Sequence, residues 1–105
     1  MQIQTNTDHS ITGSEGLAAQ ATAIIESTLA RFSDQITRVE IHLSDENGAR
    51  GGVEDKRCMM EARLEGRQPI AVTHRAATVQ QAMDGAADKL KQSIESTLGR
   101  LRDIQ

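Results

Sequence analysis

Lys89, Lys91, Arg100 and Arg102 fall within one periodic stretch near the end of the chain. Arg75 stands just ahead of it, and Lys56-Arg57 closes a glycine-rich segment further upstream. Spaced cations of this kind hold phosphate groups by charge and hydrogen bonding, with no covalent chemistry. Their spacing sorts them. A helix turns about 100° per residue, so with Leu90 as the core direction Lys89 and Arg100 share one flank, near Ser93 and Ser96. Lys91 and Arg102 take the other flank, beside Asp84 and Glu95. The first flank is nearly free of acids and is the better phosphate surface. The second reads as an ordinary salt-bridged helix face. The bland alternative for every one of these cations is a solvated surface, because exposed charges need no function. Arg75 sits where a strand gives way to the helix. Lys56 and Arg57 adjoin Glu54 and Asp55, and Arg63 and Arg67 are expected on an open sheet face.

Other chemistry is thinly represented. Asp84 and Asp88 are one helical turn apart, but no base, nucleophile or metal set converges on them, so cations and solvent are their expected partners. Asp84 near a helix start also suits the macrodipole. His9, His42 and His74 lie on separate elements without metal-ligand spacing. No phosphate-binding loop, dinucleotide fingerprint or Gly-x-Ser-x-Gly elbow occurs. The glycines from Gly48 to Gly52 are not followed by Lys-Ser/Thr. Cys58 is the single cysteine, which excludes an intrachain disulfide, and it reads as a small strand residue. The four methionines read as core filling. No catalytic residue, metal, cofactor or small-molecule substrate is expected.

Composition narrows the partners. The net charge is −3, which argues against indiscriminate nucleic-acid binding. The charge is uneven. Residues 1–46 carry two cations, Arg31 and Arg38, against seven acids, whereas residues 47–105 carry ten cations against eight acids. A phosphate-facing surface therefore belongs to the second half. Phe32 is the only aromatic residue, so platforms for stacking single-stranded bases are missing. No apolar run is long enough to span a bilayer, and the N-terminus lacks the pattern of a signal peptide, so the cytoplasm is the expected location.

The elements that must position these residues follow from periodicity. Met1, Ile3 and Thr5 alternate with polar neighbours as a short strand. Leu17, Ala21, Ile24, Ile25, Leu29, Phe32 and Ile36 recur at helical spacing, after a Thr12/Glu15 capping box with Ser14 as a rival cap. This helix is expected to end near Ser33 to Gln35. Val39, Ile41 and Leu43 mark a second strand, Cys58, Met60, Ala62 and Leu64 a third, and Ile70, Val72 and His74 a fourth. Residues 45–56 read as a hairpin loop, and Gly66 to Pro69 as a turn. Thr78-Val-Gln-Gln81 opens a last helix that buries Val79, Met83, Ala86, Ala87, Leu90, Ile94, Leu98 and Leu101. The order is β-α-β-β-β-α within one domain, residues 1–105. The fold class is α+β, a four-stranded sheet with two helices packed on one face. The helical crossover lets the first two strands pair in parallel and right-handed.

The strand Ile70–His74, the turn, and the helix carrying Ala82-Met83-Asp84 and Asp88-Lys89-Leu90 resemble the end of the domain in the ribosome hibernation-promoting factor and ribosome-associated inhibitor family. Ile3–Thr5, Thr12 and Leu17 match its N-terminal pattern, so the resemblance covers roughly residues 1–103. It implies a factor that binds the small ribosomal subunit and contacts ribosomal RNA in the channel used by messenger and transfer RNA. Basic helix surfaces carry much of that contact, and Lys89 is the best-supported carry-over. Three features depart from the family's pattern. Gln80 stands where an aromatic is common. Gln92 and Ser93 stand where a further cation is common, with Lys91 displaced by one residue. The chain is acidic where many relatives are basic. Long relatives carry a C-terminal extension that pairs ribosomes, and this chain looks like the short form.

The resulting expectation is a non-enzymatic hibernation factor, with Lys89, Arg100, Arg75, Lys91, Lys56 and Arg57 as the RNA-binding residues and ribosomal RNA of the small subunit as partner. Shape-based contact to structured RNA suits a chain without stacking platforms. The alternative is the same fold repurposed for protein interaction, its acidic half facing a basic partner, with an exposed edge strand offering a route to a homodimer.

Overall fold

The computed structural model describes the backbone of residues 1–7, 14–45 and 56–104, and the side chains of all of these except 14, 15 and 100–104. Strand β1 (Gln2–Thr7) is followed by helix α1 (Ser14–Thr28) and a 3₁₀ turn (Ala30–Phe32). Strands β2 (Ile36–Asp45), β3 (Lys56–Leu64) and β4 (Ile70–Ala76) come next, and helix α2 (Val79–Ile104) closes the chain. The sheet order is β1-β2-β3-β4, with β1 parallel to β2 and the other pairs antiparallel. This is the expected α+β architecture. The expected caps Thr12 and Glu15 and most of the hairpin loop lie outside the described residues or side chains.

One sheet face is apolar because strand side chains alternate. Val39, Ile41 and Leu43 of β2 and Cys58, Met60, Ala62 and Leu64 of β3 are buried on it, with Ile3, Ile70 and Val72 at its margins. Ala21 and Ile25 of α1, Leu29 just beyond it, and Ala82, Met83, Ala86, Ala87, Leu90 and Ile94 of α2 contribute to the core. Helix α1 packs over β1, and α2 packs over β3 and β4. The opposite face is left to solvent.

Two boundaries differ from the periodic reading. Helix α1 ends at Thr28 and tightens into the 3₁₀ turn, so it stops short of Ser33. Ile36 opens β2 and does not belong to the helix. Its spacing of three from Val39 breaks strand alternation, and a register shift between Ile36 and Arg38 absorbs the extra residue. Thr37 secures that bulge by donating its hydroxyl to the Arg63 carbonyl at 3.1 Å. Both Ile36 and Val39 thereby reach the core. Between β3 and β4 the chain reverses through Gly66, whose φ of 71° suits glycine, and the Arg67 N–H donates to the Leu64 carbonyl at 3.1 Å.

Candidate nucleic-acid interface

Strand alternation sets which cations can meet. On the open face, register makes Arg38 the neighbour of Arg63 and Glu40 the neighbour of Glu61. Like charges directly opposite each other repel. Each arginine instead pairs along its own strand, Arg38 with Glu40 at 3.3 Å and Arg63 with Glu61 at 3.4 Å. Arg38 also donates to the Gln4 side chain on β1. The middle of this face is therefore a neutral quartet, and Arg63 is committed to it. Arg67 lies in the β3–β4 turn and is exposed.

Toward the other end of the same face, Arg57 and Arg75 are register neighbours on β3 and β4. Arg75 is exposed and Arg57 half-buried. Lys56 has the opposite parity, on the side of Cys58, and pairs with Asp45 at 3.2 Å. Neighbouring residues in sequence, Lys56 and Arg57, thus serve different surfaces.

Helix α2 starts where Thr78 accepts the Gln81 N–H at 3.1 Å, the capping bond read from the sequence. The cap fixes the phase of the helix over β4. Lys89 then reaches the outer edge of β4 and donates from Nζ to the Thr73 carbonyl at 3.0 Å. The expected cation is exposed and on the expected flank, but it already has a backbone partner. Thr73 is two residues from Arg75 on the same strand, but Lys89 meets β4 from the helix side whereas Arg75 and Arg57 sit on the open face, so the three cations lie on two sides of the sheet.

Lys91 does not join them. It is half-buried on the other flank of α2, where Glu95 pairs with Arg31 of the 3₁₀ turn at 3.4 Å. The Arg31 guanidinium also lies 5.0 Å from the centre of the Phe32 ring. The backbone of Arg100 continues α2, and its side chain lies outside the described ones. Asp84 receives the Gln80 side-chain amide at 3.3 Å, one turn away.

His74 projects to the helix side of β4, as its parity implies, and its ring fills the space beside Gly85 of α2. A Cβ at Gly85 would stand 2.1 Å from the ring. His42 has the opposite parity on β2, so these two histidines cannot converge on one ion, and His9 lies outside the described residues. Burial pushes the Cys58 thiol up to about 12, which keeps it protonated at neutral pH. Among the described residues no helix is long and apolar enough to cross a membrane.

One part of the surface carried only a weak sequence signal. Val72, Lys89, Gln92, Ser93, Ser96 and Thr97 line a groove of about 510 Å³ between α2 and β4. Ser93 and Ser96 are legible as neighbours of Lys89 on a helical wheel. The contribution of Val72 depends on how α2 lies across the strand, which the sequence does not encode locally.

A mixed four-stranded sheet under two helices defines an α+β domain. The chain belongs to the sigma 54 modulation protein / S30EA ribosomal protein family, whose model matches residues 5–102. Two solved structures share the fold. The N-terminal domain of Protein Y from Thermus thermophilus superimposes with a TM-score of 0.66 at 20% identity, over 92% of this chain and 99% of that one. A ribosomal subunit interface protein from Coxiella burnetii gives 0.71 at 18% identity, over 94% and 99%. No curated relative matches the chain. The resemblance read from Ile70 to Leu90 is thus borne out at the level of family and fold.

Proposed function

We propose that this chain is a cytoplasmic ribosome-associated hibernation factor that docks on the small subunit through ribosomal RNA and occupies the channel used by messenger and transfer RNA. The family match over residues 5–102 carries this reading. The two solved structures that share the fold, a Protein Y N-terminal domain and a ribosomal subunit interface protein, agree with it. Arg57, Arg75 and Lys89 bring positive charge to the β3–β4 side of the molecule, away from the acid-rich N-terminal half, which supports this reading. The factor acts by occupancy and not by catalysis.

Competition tests occupancy directly. Small subunits loaded with the protein are challenged with a saturating messenger and its cognate initiator transfer RNA. The protein is expected to leave as the channel fills, and protein added first is expected to slow their binding. Simultaneous, independent binding of all three would contradict channel occupancy.

A further inference from the structure

The groove between α2 and the β4 edge has an unusual chemistry for an RNA-facing surface. Of its six lining residues only Lys89 is charged, none is acidic, and Gln92, Ser93, Ser96 and Thr97 bring an amide and three hydroxyls. Lys89, Ser93 and Ser96 are spaced i, i+4 and i+7, so they stack along one flank, rising about 6 Å and then about 4.5 Å. The Thr73 carbonyl holds the ammonium at the β4 wall, which fixes where the charge sits relative to the hydroxyls. Hydroxyls and amides both donate and accept hydrogen bonds, whereas an ammonium only donates. A ribose 2′-hydroxyl also does both, and it is the group that distinguishes RNA from DNA. A chain of net charge −3 gains little from long-range attraction to phosphate, so uncharged hydrogen bonds must carry more of its affinity.

We propose that this groove takes the ribose-phosphate backbone of RNA, with Lys89 on a phosphate and Gln92, Ser93, Ser96 and Thr97 on ribose 2′-hydroxyls. The inference rests on the rRNA-docking reading above and deepens it: the α2 flank selects RNA by its sugar.

The test uses the full chain, purified small subunits, and a triple variant, Gln92→Ala/Ser93→Ala/Ser96→Ala. These side chains are exposed or half-buried, and alanine favours helix, so the variant is expected to fold. Binding is measured over a range of salt, and bound protein is competed with an RNA duplex and a DNA duplex of one sequence. The variant is expected to bind about tenfold or more weakly with an unchanged salt slope, since it loses neutral hydrogen bonds only. RNA is expected to compete about tenfold better than DNA. A variant that binds like the wild type overturns the groove while leaving docking intact. Weakened binding with no preference for RNA over DNA overturns ribose recognition and leaves a phosphate or a protein surface as the occupant. A wild type that does not bind the subunit removes the docking reading, and this proposal falls with it.

Discussion

Gly85 shows how much one position can depend on its neighbour in space. In the sequence it is a weak point in a long helix, since glycine costs about 1 kcal/mol there relative to alanine. In the fold it is the gap that receives the His74 ring, with a hypothetical Cβ 2.1 Å from the nearest ring atom. Gly85→Ala is therefore expected to destabilise the protein by about 1 kcal/mol, the overpacking cost exceeding the gain in helix propensity. In urea unfolding, His74→Ala/Gly85→Ala should recover the loss caused by Gly85→Ala relative to His74→Ala. No local sequence signal pairs residues 74 and 85, whereas the inward direction of His74 followed from strand alternation alone. Cys58 was equally legible, as a small residue on the apolar parity of β3. Its thiol is raised from 9.0 to about 12 by burial, so the folded state favours the protonated form more than the unfolded state does. That contribution to stability is fully present below about pH 9 and is lost as pH rises toward 12. Alkylation at pH 8 should be slow in the native protein and fast in denaturant. Equal rates in both would show that the thiol is not protected.

At the scale of elements, the strands and both helices follow from two periods, 2 and 3.6, because each element has one buried face. The exception is instructive. Ile36 sits at helical spacing from Phe32 and at the wrong parity for Val39, so periodicity assigns it to the helix. The bulge at Thr37 restores its direction in β2, and a bulge leaves no periodic trace. Candidate-site residues were legible to the extent that direction alone decides them. Lys89 and Lys91 separate onto two flanks by helical phase, and Arg57 and Arg75 fall on one face by strand parity. The Lys89–Thr73 bond and the Lys56–Asp45 pair depend on packing and register, which no single element contains. Thr78 is the point where a local signal governs this geometry, since its cap sets the start of α2. Thr78→Ala is expected to cost about 1 kcal/mol, read as a lower urea midpoint with an unchanged slope. An unchanged midpoint would mean that packing on the sheet, not the cap, defines the start of α2.

Across the whole molecule, charge is partitioned by the fold as well as by the sequence. The acid-rich first half supplies β1, α1 and β2, while β3, β4 and α2 carry the cations of the second half that the sequence singles out. Arg38, Glu40, Glu61 and Arg63 cancel one another, so the centre of the open sheet offers no net attraction to RNA. On the proposed docking, Arg57, Arg75 and Lys89 contribute a few phosphate contacts in place of an all-round basic coat. So few contacts predict a modest salt dependence. The most direct test is co-sedimentation with purified small and large subunits across a salt series, comparing wild type with Arg75→Glu/Lys89→Glu. Wild type should bind the small subunit stoichiometrically, with a log–log salt slope of about −2 to −3, and the double variant should lose that binding while keeping its fold by circular dichroism. Failure of the wild type to bind the small subunit, or equal binding by the folded variant at every salt concentration, would contradict the account.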